Sequence, residues 1–468
     1  MLFTVRLENE HRPSSPLALD CFAGPMQAVV PDGGPDDNIV LGALHRLASG
    51  NRRGARSSQR GPETRPSVSV LGKTGAKYLQ PPKAHQQLDS EMPRTQLHTS
   101  AKDYTPSAPN ERKGFFELFG PAPEPQTELA RYRILAPKAG VRVSPLCLGA
   151  MSLGDQWTGW MGSGIDTTGS EKLLDAFYEA GGNFIDTSCN YQDEQSEMII
   201  GEWMEKRGNR DEIVLATEKP LPHEDSLKKL RTSYIDLLYV HWWDYSTTIE
   251  EIMLSLNDLV KAGKVMYLGV SDAPAWIVAQ ANQYARDHAL QPFVIYQGNW
   301  NLALRDMERD ILPMARAFGM AIAPWGALGG GRFKEPEELK ARAKEKTLRA
   351  GLEPTENELK VGQALKEVAH EIGGGVALAI VALAWCRQMY PDCYPLIGGT
   401  KLQHLKSHIE ALNIKLSPQQ MEKLSNAVPF DWGFLYDMFG TDPHYLPEGK
   451  PKNPALSSAG HIKFVNYA

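Results

Sequence analysis

GGNFIDTSCNYQDEQSEMIIGEWMEKRG, residues 181–208, contains the unit whose repetition decides the fold. The run Asn183–Ser188 is apolar, too short for a helix, and breaks into polar residues at its end. The amphipathic stretch SEMIIGEWMEKRG follows it and stops at a glycine, as helices do. Working outward, the same kind of short run recurs at Pro145–Ala150, Glu212–Thr217, Ile235–His241, Val265–Asp272, Pro292–Gly298, Met320–Gly326 and Tyr394–Gly399. Amphipathic segments such as TTGSEKLLDAFYEAGG, TIEEIMLSLNDLVKAGK and TKLQHLKSHIEALN alternate with these runs, and a strand with its helix takes roughly 30 residues. Eight parallel strands with eight helical returns close most simply into a (β/α)8 or TIM barrel, an α/β fold whose functional groups sit at the C-terminal strand ends.

Ahead of the first run, RYRILAPKAGVRVSPL reads as a β-hairpin, two alternating stretches around Ala-Pro-Lys-Ala-Gly. A charged helical insertion over 333–371 follows the seventh strand. Residues 1–112 are rich in Gly, Pro, Ser and Gln and show neither periodicity, so a leader of little structure is expected there and the barrel over 113–468, its C-terminal tail over the pocket.

Composition removes several classes of function. Lys and Arg number 50 against 56 Asp and Glu, a net charge of -6, without the basic excess that nucleic acid demands. The five cysteines are scattered and form no C-x-x-C pair, so neither a zinc site nor a disulfide framework is expected, and a reducing, cytoplasmic compartment is. Val376–Cys386 is the most apolar stretch and is about half of what a membrane span needs, which makes it a buried helix. The first residues carry no apolar signal core.

Three strand ends put polar chemistry at the expected face: Asp186 to Tyr191, His241 with Trp242, Trp243 and Asp244, and Ser271 with Asp272. A phenol and an imidazole brought together there suit proton donation to a polarised carbonyl. Trp157, Trp160, Trp242, Trp243, Trp300, Trp432 and Phe434 lie in segments that reach the same rim, and such a lining favours planar aromatic carbonyl compounds.

Taken in order, GGNFIDTSCNYQDEQSEMIIGEW, YIDLLYVHWWD and APWGALGGGRF resemble the motifs of the aldo-keto reductases, in particular the norsolorinic acid reductase and aryl-alcohol dehydrogenase branch. The resemblance runs from about Phe115 to the C-terminus. It implies reduction of an aromatic or polyketide-type aldehyde or ketone in secondary metabolism, with NADPH/NADP+ as cofactor and no metal. Tyr191 would give the proton, His241 would orient the carbonyl, and Asp186 would pair with a catalytic lysine. Ser271, Asp272 and Gln297 fall where that family holds the nicotinamide, and Trp325 where it stacks on the ring. Gly326, Leu328 and Gly330 would let the backbone approach the pyrophosphate, with Arg332 and Lys334 closing over it. Thr400, Lys401, His404 and His408 would take the 2'-phosphate at the start of the last barrel helix, where orphan N–H groups and basic side chains favour an anion.

The pattern breaks at the third strand. The family ends this strand in Ala-Thr-Lys, whereas Ala216-Thr217-Glu218-Lys219 stands here. Side chains alternate along a strand, so an inward Glu218 turns Lys219 outward, while a bulge at Glu218 would return Lys219 to the tetrad of Asp186, Tyr191, Lys219 and His241. The bulge is the favoured expectation. The crossover PLPHEDSLKKLRTSY that follows is near the minimum for a parallel connection and allows only a short helix. Three readings stay open: an active reductase, a cofactor-binding barrel with impaired catalysis that acts as a regulatory subunit, and a gene model lacking the native lysine strand.

Overall fold

The computed structural model describes residues 123–161, 164–219, 224–344, 353–442, 454–458 and 460. The expectation for 1–112 lies outside the described residues. The hairpin is present as β1 (Arg133–Ala136) paired antiparallel with β2 (Ala139–Val143).

The barrel strands follow as β3 (Cys147–Gly149), β4 (Phe184–Ser188), β5 (Val214–Lys219), β6 (Ile235–Val240), β7 (Val265–Ser271), β8 (Phe293–Asn299), β9 (Ala321–Trp325) and β10 (Leu396–Ile397). They pair in parallel in chain order from β3 to β9, and β10 returns to lie beside β3. The eighth run is shorter than the sequence suggests. Its first residues close the ring as a bridge, Ile322 to Cys393, with the Ile322 amide donating to the Asp392 carbonyl and the Tyr394 amide to the Ile322 carbonyl, each at 2.8 Å.

Two apolar cores result, one on each face of the strands. Inside the barrel, Phe184, Val214, Ala216, Leu237, Tyr239, Ile295 and Ala321 pack with Leu135, Ala136, Ala139 and Val143 of the hairpin, which plugs the N-terminal end. The Tyr394 hydroxyl fixes that plug by donating to the Ile134 carbonyl at 2.6 Å. Outside, Leu215, Leu238, Leu268 and Val270 meet the helices, among them Ile199, Ile200 and Trp203 of helix Gln195–Arg207. Each such Leu or Ile, fully buried, contributes about 1.5–3 kcal/mol.

The insertion expected after the seventh strand is helical, Pro336–Lys344 and Glu356–Ile372, the latter opened by a reciprocal Thr355–Glu358 cap. Helix Leu378–Met389 buries Ile380 to Cys386, and among the described residues no helix is long and apolar enough to cross a membrane. The shortened crossover after β5 holds a helix of only six residues, Glu224–Lys229.

Candidate active site at the C-terminal mouth of the barrel

Along β5 the interior positions are Val214, Ala216 and Glu218, and the alternate residues face the helices: Leu215 joins the outer core, and Thr217 donates to Glu197 at 2.7 Å. The register is continuous to the strand end, with Ser188 opposite Glu218 on one side and Tyr239 and Val240 opposite Glu218 and Lys219 on the other. The expected bulge is therefore absent, and Lys219 does not reach the catalytic position. Its ammonium instead acts on the Cys189 thiol, offsetting in part the burial and the Glu197 charge that raise that thiol's pKa. The physical reason is the pleat: the chain keeps its pairing, so one extra residue reverses the side.

Glu218 fills the place between the two groups expected to clamp a substrate oxygen. Its Oε2 lies 2.7 Å from His241 Nε2 and accepts from the Tyr191 hydroxyl at 3.3 Å. Asp186 sits one strand away, accepting from Gln297 Nε2 at 3.1 Å. Both residues are 1 % exposed, and Asp186 Oδ1 and Glu218 Oε1 have no hydrogen-bond partner among the described residues. An unpaired buried carboxylate costs several kcal/mol, so such groups hold their protons.

The titration of the cluster follows. Burial, then repulsion from Asp272, pushes Glu218 up to about 8, against hydrogen bonds from Tyr191 and Ser271. Burial and the nearby Glu218 raise Asp186 well above the carboxylate range. Desolvation lowers His241. The short His241–Glu218 contact is thus a hydrogen bond between a neutral imidazole and a protonated carboxyl at neutral pH, despite its salt-bridge distance. Tyr191 is raised above the ordinary phenol value by burial first and then by Glu218 and Asp186, which makes it a weaker acid.

A turn with no signal in the residue pattern holds Tyr191 in place. Gln192, Asp193 and Glu194 all take left-handed conformations, with φ of 54°, 51° and 76°, and none is a glycine. Gln192 is fully buried. Its amide donates to the Met151 carbonyl at 2.8 Å and its carbonyl accepts from the Trp157 amide at 2.8 Å, so it ties the β3 loop to the Tyr191 turn.

On the other side of the mouth, Ser271 donates to Asp272 at 2.9 Å and the Asp272 carboxylate accepts from the Trp325 indole at 3.1 and 3.2 Å. Asp272 itself has a φ of 47°, a strained backbone of the kind found at functional sites. After Trp325, which is 36 % exposed, Gly326 and Gly330 take φ of 69° and 61°, and a Cβ on Gly330 would meet nothing within 4 Å. That open, side-chain-free loop beside an exposed indole fits a flat ring followed by a pyrophosphate. Leu328 is half-buried against the outer core. Arg332 pairs with Glu358 at 3.3 Å and Lys334 with Glu338 at 2.9 Å.

Of the residues expected to take the 2'-phosphate, Thr400, Lys401 and His404 lie at the start of helix Leu402–Glu410, Lys401 and His404 exposed. His408 does not join them. It is buried in the last turn beside Leu405, and burial followed by His404 lowers it to about 4, which leaves it neutral.

The aromatic lining also divides. Trp242 is half exposed and lies against His241, ring centroids 4.4 Å apart, and Trp157 meets the Tyr191 ring edge-on at 6.1 Å. Trp300, expected at the substrate, is fully buried: its indole donates to Glu308 at 3.1 Å and packs on Trp385. Trp243 is likewise core. In the tail Trp432 packs on Phe430, while Phe434 is 77 % exposed.

Fold and site together define a (β/α)8 barrel with an acid cluster at its C-terminal mouth and an open glycine loop beside it. The aldo/keto reductase family model matches residues 145–220 and 222–428, and the chain belongs to that family of oxidoreductases. It is 48 % identical over 377 residues to an NADP(+) aryl-alcohol dehydrogenase of Phanerodontia chrysosporium, covering 74 % of this chain and 96 % of the relative. An aldo-keto reductase of Emericella nidulans is 49 % identical over 378 residues, 75 % and 94 % of the two chains. A norsolorinic acid reductase of the same organism is 47 % identical over 338 residues, 67 % and 86 %.

Proposed function

We propose that this chain is an NADPH-dependent oxidoreductase acting on aromatic or polyketide-type carbonyl compounds, slowed in that reaction by Glu218. The observation that carries the reading is the meeting of Asp186, Tyr191 and His241 at one strand-end face beside Trp325 and its glycine loop. The relatives named for aryl alcohols, NADP(+) and norsolorinic acid support it.

Ser271, Asp272 and Gln297 would hold the carboxamide, Trp325 the ring face, the loop of Gly326, Leu328 and Gly330 the pyrophosphate, and Lys401 with His404 the 2'-phosphate. The cofactor supplies hydride when bound. Tyr191 gives the proton, and a positioned acid contributes roughly 10²- to 10⁴-fold. With no ammonium beside it among the described residues and Glu218 hydrogen-bonded to both the phenol and His241, most of that factor is lost here. The free thiols Cys147, Cys189, Cys386 and Cys393 support a reducing, cytoplasmic location.

The inward Glu218 also favours a second reading, a cofactor-binding barrel that serves as a regulatory subunit. NADPH titration together with turnover of 4-nitrobenzaldehyde separates them. Tight NADPH binding with slow turnover that Glu218→Lys accelerates supports the enzyme, whereas binding with no turnover in either form supports the subunit.

A further inference from the structure

The mouth of this barrel brings acids and aromatic rings together with no cation beside them among the described residues. Asp186, Glu218 and Asp272 converge from β4, β5 and the end of β7, and the oxygens Asp186 Oδ1 and Glu218 Oε1 are buried and have no hydrogen-bond partner among the described residues. Three indoles adjoin this cluster: Trp157 edge-on to Tyr191, Trp242 tilted against His241, and Trp325 through its N–H on Asp272. Aromatic faces backed by carboxylates are the means by which proteins bind organic cations. Lys219, whose ammonium would otherwise neutralise the acids, lies on the opposite face of β5.

We propose that the site takes planar aromatic cations and that its preferred reducible substrate is an aromatic iminium ion, with Glu218 as the counter-ion. The reaction half of this inference rests on the barrel holding NADPH, as proposed above; the binding half does not.

The chemistry suits the residues present. In carbonyl reduction, hydride addition leaves an alkoxide that must take a proton, and Tyr191 is a poor donor here. In iminium reduction, hydride adds to the carbon of C=N⁺, the π pair becomes the nitrogen lone pair, and the product is a neutral amine. NADPH becomes NADP+ and no proton moves. An ionised Glu218 stabilises the cation before the step, and the missing lysine is no longer a defect.

Cation binding must ionise Glu218. The groups facing it are Asp186 from β4, Tyr191 from the following turn, Tyr239 and His241 from β6 and its end, Ser271 and Asp272 from β7, and Cys147 from β3. His241 is held neutral, so none of these supplies a positive charge at neutral pH. With Glu218 at about 8, binding at pH 7 releases a proton and strengthens as the pH rises toward that value.

The test is calorimetric titration of the full chain, without cofactor, with N-methylisoquinolinium and its neutral relative N-methylisoquinolone, in two buffers of different ionisation heat. The cation should bind about tenfold tighter, with proton release, and Glu218→Gln should lose both the preference and the release. Retained NADPH binding shows that the variant is folded, and the proton release of the parent needs no variant. With NADPH, N-methyl-3,4-dihydroisoquinolinium should be reduced faster than 4-nitrobenzaldehyde. Equal affinity for the two probes, or a preference that survives Glu218→Gln, overturns the cation site. A bound cation that is not reduced while the aldehyde is reduced overturns the substrate assignment. Absence of NADPH binding overturns the proposed function and the reduction with it, and leaves the cation site standing on its own titration.

Discussion

Strand β5 and strands β7 to β9 end on the same rim, yet their polar side chains are arranged in contrasting ways. On the β7 to β9 side, Ser271, Asp272, Gln297 and Trp325 form one hydrogen-bonded chain that reaches Asp186, and the glycine loop beyond is open. On the β5 side, a single extra residue before the lysine brings a carboxyl to the phenol and imidazole and turns the ammonium away. The two halves of the proposed reaction are therefore separable: the face proposed for the cofactor can be intact while the face proposed for proton donation is chemically altered.

Glu218→Lys breaks that contrast most strongly. It places an ammonium between Asp186 and Tyr191, lowers the phenol pKa, and should raise kcat for 4-nitrobenzaldehyde by about 10²-fold at pH 7 with little change in NADPH affinity. A rate that stays flat or falls would show that Glu218 is not what limits proton transfer. Next in size is cofactor selectivity. Lys401→Glu should narrow the preference for NADPH over NADH by about tenfold, read from the two dissociation constants, and His408→Ala should leave the preference unchanged because that imidazole is neutral and buried. A preference that depends on His408 would relocate the 2'-phosphate.

Stability should depend on pH through the same carboxyl. Glu218 titrates at about 8 in the folded chain against about 4.3 when exposed, so its protonated form favours folding and that contribution falls away as the pH rises toward 8. The parent should lose more melting temperature between pH 6 and pH 8.5 than Glu218→Gln does (on the order of a few degrees). Parallel pH profiles for the two proteins would remove the buried, protonated Glu218. The smallest effect belongs to Lys219→Met, which should change turnover by less than about twofold, since the ammonium lies outside the barrel interior. Loss of activity in that variant would restore the bulged register.

Much of this architecture is legible before any coordinates. The eight strands announce themselves because buried parallel strands need continuous apolar runs and their helices need a stripe, and the hairpin because its turn residues sit between alternating runs. The eighth strand misleads at Tyr394: closure there needs only one bridge to Ile322, so apolar composition overstates its length. Trp300 and Trp242 look alike in sequence, and only the partner of each indole, Glu308 for one and the His241 ring for the other, separates core from rim. His408 is legible in retrospect, since it follows Leu405 by three residues and shares its buried face. The turn of Gln192 to Glu194 is not, because three consecutive left-handed residues without glycine are imposed by tertiary contacts.

The central claim, that a protonated Glu218 rather than Lys219 faces Tyr191 and His241, is tested most directly by carbon-13 NMR of the glutamate carboxyls. The signal assigned by its loss in Glu218→Gln should titrate near pH 8. A Glu218 carboxyl that titrates at about 4 to 5, as exposed glutamates do, would contradict the account.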